Sequence, residues 1–92
     1  MDKVMEFCSA IETVQKLAGE IFSGNPWISA TQYHRKVQVD SIRNLEQVEG
    51  EAKVEPFNHG KEFSWRASKV FDGTEFYVLL TQADYEAAKQ AS

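Results

Sequence analysis

Apolar residues recur at two different periods along this 92-residue chain, and the change of period divides it into helix, sheet and helix. Between residues 3 and 22, Val4, Phe7, Cys8, Ile11, Val14, Ala18, Ile21 and Phe22 follow one another at steps of three and four. At about 100° per residue this draws one broad apolar stripe, the mark of an amphipathic helix. Glu6, Glu12, Lys16 and Glu20 take the opposite face, Leu17 widens the stripe, and Asp2 is placed to cap the first turn. Ser23-Gly24-Asn25-Pro26 ends the helix, since Gly24 suits a left-handed C-terminal position and Pro26 cannot continue it.

Beyond Pro26 the period falls to two. Trp27 and Ile28 are expected to anchor the connection against the core. From Thr31 to Ser41, Tyr33, Val37 and Val39 share one side, with Arg35, while His34, Lys36, Gln38 and Asp40 share the other. That is a half-buried strand. Residues 42–50 fit a short helical turn or a hairpin followed by a strand. Residues 51–57 predict a strand whose end Pro56 confines to an edge or terminus. Asn58-His59-Gly60-Lys61 predicts a turn.

The strongest strand signal flanks Asp72-Gly73, a favoured two-residue hairpin turn. This turn opposes Phe71 to Thr74 and fixes every pair beyond it. One face of the hairpin then holds Phe63, Trp65, Ala67, Lys69, Phe71, Phe76, Val78 and Leu80 and is the expected core, with the first helix as its cover. The other holds Ser64, Arg66, Ser68, Val70, Glu75, Tyr77 and Leu79. Thr81 can cap a last helix, with Asp84 three residues on, running through Tyr85, Ala87, Ala88 and Lys89. At barely three turns it needs tertiary contacts to persist.

The expected fold is α+β in one domain spanning residues 1–92. A long N-terminal helix packs on a small antiparallel meander of three or four strands, with a short C-terminal helix beside it. The apolar fraction of 42% and two Trp, three Tyr and six Phe suffice for a modest core. A net charge of −4 gives no broad pull toward nucleic acid or anionic lipid. Cys8 is the one cysteine, so no intrachain disulfide or multi-cysteine zinc site can form, and a reducing compartment fits best. Acidic residues interrupt any leader-like apolar run near the start, and no stretch approaches the ~20 apolar residues of a membrane span. A cytoplasmic location is the expectation.

Candidate chemistry adds little to this. Cys8 with His34 or His59 could make a nucleophile and base, but its place in the apolar stripe predicts core packing. His34 and His59 lack the paired spacing of metal ligands, and neither a metal nor a cofactor is expected. Glu46, Glu49, Glu51 and Glu55 could mimic phosphate, yet they equally suit a strand edge that repels further pairing. Phe63 and Trp65 point away from Arg66, so the hairpin offers no shared stacking and phosphate-neutralising surface.

The outer hairpin face is the candidate site. Arg66, Val70, Glu75, Tyr77 and Leu79 combine an aromatic, an Arg and exposed aliphatics, the composition enriched at protein interfaces. The competing expectation is that the last helix, or residues 42–50, folds over it. The function expected is that of a small non-enzymatic module acting by contact with another protein or with itself, possible homodimer included. Its size fits a bacterial or phage-encoded regulatory, inhibitory or accessory protein. A nucleic-acid-associated protein, binding directly or as an acidic phosphate mimic, is the alternative, and an enzyme comes third.

Overall fold

The computed structural model describes residues 2–57 and 62–91. The turn expected at Asn58-His59-Gly60-Lys61 lies outside the described residues. The element order is α1 (Asp2–Ile21), β1 (Trp27–Ala30), β2 (Arg35–Gln38), α2 (Ile42–Leu45), β3 (Lys53–Pro56), β4 (Trp65–Phe71), β5 (Thr74–Leu80) and α3 (Gln82–Ala91). The class is α+β, with a long first helix, a central sheet and a short last helix.

The sheet has five strands rather than three or four, in the order β1-β2-β5-β4-β3. It is also mixed. β3, β4 and β5 form an antiparallel meander, and β1–β2 is a hairpin whose second strand joins β5 in parallel. The chain therefore passes β5 and β4 between β2 and β3, with α2 in the crossing. Trp27–Ala30, expected as a connection, is an edge strand, and Pro56 ends the opposite edge strand as expected.

The β4–β5 register is the one its turn dictates: Phe71 faces Thr74 and Trp65 faces Leu80. Asp72 and Gly73 both have positive φ, 49° and 74°, which a tight hairpin of this hand requires. Arg35, on the apolar side of β2, reaches the hairpin tip and donates to the Asp72 carbonyl.

α2 and the C-terminal end of α1 pack on one side of the sheet, and α3 docks at its end beside Trp65. The core on that side contains Val37 and Val39, Ala67, Val78 and Leu80 from the sheet, covered by Leu45 and Val48 and by Ala18 and Phe22. Residues 42–50 thus begin as a helical turn. Ser41 caps it by accepting the Asn44 backbone N–H at 3.2 Å, and Lys69 donates to the Val48 carbonyl at 2.8 Å just beyond it. α3 is capped by Thr81 and held by its first turn: Tyr85 stacks on Trp65 at 4.1 Å, and the Trp65 indole donates to Gln82.

The cover that α1 provides is shorter than its stripe. Of the whole helix only Ala18 is buried, followed by Phe22 just past its end, whose ring meets Phe76 at 6.1 Å. Asn44 clamps this end. Its buried amide accepts from the Ser23 N–H at 3.1 Å and donates to the Ser23 carbonyl at 2.8 Å. Gly24, at φ 80°, then turns the chain under the Asp40 side chain, which accepts the Asn25 N–H and leaves no room for a Cβ. The first four turns run free alongside β1, and Phe7 is 66% exposed. Cys8, expected in the core, is exposed because nothing described covers that part of the helix. The molecule is accordingly long, 51 × 26 × 22 Å.

Candidate functional site

The sheet face opposite the helices carries the candidate residues. Period-two alternation and the hairpin register bring Arg66 and Val70 of β4 together with Glu75, Tyr77 and Leu79 of β5 on this face. The parallel pairing adds Lys36 and Gln38 of β2, and the outer strands add Trp27, Lys53 and Glu55. α2 and its following residues pack on the helix side, while α3 meets the sheet through Trp65 and borders a hollow with Leu79 and Leu80 at one end of the face.

Its centre is a polar group joined by hydrogen bonds and a cation–π contact. Arg66 donates to the Glu75 carboxylate at 2.7 Å, and both side chains are more than two-thirds shielded. The same guanidinium lies over the Tyr77 ring at 4.5 Å, and the Tyr77 hydroxyl donates to Gln38 at 3.2 Å. Ser68, between Tyr77 and Lys53 in the register, is buried beneath them. These contacts restrain Arg66 and Tyr77, which lowers the ordering cost a contacting surface would meet. Val70 stands clear near one end, 69% exposed, and Leu79 is half-buried toward the other.

A hollow adjoins this group on the β1 side, lined by Asn25, Trp27, Gln38, Asp40 and Tyr77. Sequence reasoning missed Trp27 as a member of this face. The signal was available in principle, because pairing Trp27 with Gln38 puts both on the outer side, but Trp27–Ala30 has too few residues to show alternation.

The other candidates are not gathered into a site. His34 sits in the β1–β2 turn, its ring within 3.2 Å of the Ser29 hydroxyl and 3.4 Å of the Thr31 hydroxyl. The Thr31 hydroxyl in turn accepts the backbone N–H of Tyr33 and of His34, so this corner is occupied in making the turn. His59 lies outside the described residues. Among the described residues no three His, Cys, Asp or Glu side chains converge as metal ligands would. Trp65, a possible stacking residue, is engaged by Tyr85 on the helix side. No described helix is long and apolar enough to cross a membrane. Comparison with known proteins finds no matching protein family, no similar curated protein and no similar solved structure.

Proposed function

We propose that the protein is a non-enzymatic interaction module that binds another protein through the outer face of its sheet. The observation that carries this reading is the Arg66–Glu75–Tyr77 group, braced by mutual contacts on the sheet face opposite the buried core. An aromatic and an Arg held rigidly at the centre of a patch, with aliphatic and charged residues around them, is the composition of an interface hot spot. The charges bordering it, Lys36, Lys53 and Glu55, are of mixed sign, which suits a protein surface better than a phosphate backbone. A cytoplasmic setting belongs to the same proposal, since the exposed Cys8 thiol fits a reducing compartment.

The test is affinity capture from the native host with the wild type, Tyr77→Ser and Val70→Glu, read by mass spectrometry. A partner held by the wild type and lost by both folded variants supports the reading. A partner held equally by all three overturns it. So does salt-sensitive binding of oligonucleotides that both variants retain.

A further inference from the structure

The apolar stripe of α1 has a repeat that the body of the molecule does not use. Val4, Phe7, Ile11, Val14, Ala18 and Ile21 alternate steps of three and four without a break, the 3.5-residue period of helices that pair with helices. Ala18 is consumed by the core, and the positions before it face an open groove of about 410 Å³. Val4, Phe7, Ile11 and Val14 on one side and Trp27 and Ile28 on the other border that groove or lead into it, and all six are exposed.

We propose that this groove is filled by α1 of a second copy of the chain, the two helices pairing antiparallel. This surface is centred on α1 and meets the outer sheet face only at Trp27, which borders both, and it goes beyond the function proposed for that face.

The area is sufficient. The exposed parts of those six side chains present on the order of 600 Å² of apolar surface, taking roughly 150–250 Å² for a large side chain. Complete burial of both copies' patches would remove about 1,200 Å², the lower end of stable specific interfaces. The same surface on one chain matches the largest apolar patch of ordinary monomers, about 300–600 Å², only at its upper limit.

The charges also fit a second copy. In heptad terms the flanks of the stripe are Lys3, Cys8, Ala10, Gln15 and Leu17, with a single charge among them. Asp2, Glu6, Glu12, Lys16 and Glu20 all lie away from the seam, so two copies of this acidic chain meet without like charges opposed. That polar face has four acidic residues and one basic, the wrong balance for a helix lying on an anionic membrane.

The antiparallel sense follows from the anchoring. Paired helices run about 8–10 Å apart, and a parallel pair would bring both sheets to the same end of it, in molecules 26 × 22 Å across. An antiparallel pair sends them to opposite ends. With Ala18 unavailable, the register that uses the free positions sets Val4 against Val14 of the second copy and Phe7 against Ile11. Its two-fold axis passes near Ser9, which brings the two Cys8 thiols close to each other.

The experiment is sedimentation equilibrium of the full chain as wild type, Phe7→Glu/Ile11→Glu and Val70→Glu, with trapping of Cys8 by a short bis-maleimide. The expected result is a dimer for the wild type and Val70→Glu, linked through Cys8, and a folded monomer for the Glu pair by circular dichroism. Several outcomes overturn the proposal: a wild-type monomer at high micromolar concentration, a dimer that survives the Glu pair, or a dimer lost in Val70→Glu. A dimer that Cys8 fails to link overturns the antiparallel register. Should the outer face fail to capture any partner while this dimer stands, only the interaction reading of the sheet falls.

Discussion

Asn44 is the side chain on which the arrangement of α1 depends most directly. It is buried, and both ends of its amide are spent on the backbone of Ser23, 21 positions away. Removing it strands a donor and an acceptor, each costing about 1–3 kcal/mol where water cannot replace the bond. Asn44→Ala is therefore expected to lower unfolding free energy in urea by about 2–3 kcal/mol. Asn44→Asp should cost nearly as much, because a carboxylate cannot donate to the Ser23 carbonyl. Leu45, fully buried beside it, should cost about 2–5 kcal/mol on truncation to Ala. None of this was legible in the sequence. An Asn within Ile42-Arg43-Asn44-Leu45 looks like a turn residue, and its partner is remote. The Asp72-Gly73 turn was legible because its chemistry is local: both residues need positive φ, and Gly supplies it without cost. Gly73→Ala is expected to destabilise by about 1–2 kcal/mol, since a Cβ there adds backbone strain and meets the Arg35 guanidinium.

Among the elements, those with long periodic patterns were readable and the short ones were not. α1, β4, β5 and α3 were all expected near their observed ranges and the hairpin faces alternate as expected, but Phe63 precedes β4 and Phe71, expected in the core, is 49% exposed at the strand end. β1 was missed, and the Thr31–Ser41 strand shrank to Arg35–Gln38, because a Thr31-centred turn consumes residues 31–34 and leaves Tyr33 in solvent. Periodicity also misled on the reach of α1: it shows that a face is apolar, not what lies against it. Trp27, at the centre of the hollow beside Tyr77, was likewise hidden by the brevity of its strand. An isolated helix of this length is marginal in water. Amide hydrogen exchange over residues 2–14 should therefore be fast in dilute protein and slow as concentration rises, while β4 and β5 stay protected throughout. Exchange of α1 that ignores concentration would count against pairing of the helices.

The whole molecule is less compact than its length requires. Its radius of gyration is 14.9 Å, whereas a compact chain of this length has about 12 Å. The excess comes from α1 standing beyond the sheet. Small-angle scattering of the Phe7→Glu/Ile11→Glu monomer should keep the elongated profile. A profile collapsing toward a sphere would mean that α1 folds back on its own sheet.

The parallel β2–β5 pairing has a further consequence, in the order of events rather than in the finished shape. β4 and β5 meet through two turn residues and can associate within about 1–10 μs. β2 joins β5 through only three register pairs, between residues as far apart as Gln38 and Tyr77, 39 positions. That contact must await closure of a long loop, so the first half of the chain docks late. A cavity made there should act on escape rather than entry. Val37→Ala is expected to accelerate unfolding in stopped-flow measurements and leave the refolding rate nearly unchanged, whereas Val78→Ala should slow refolding. Equal slowing of refolding by both would mean that the seam closes with the hairpin, and the chain folds as a single unit from the outset.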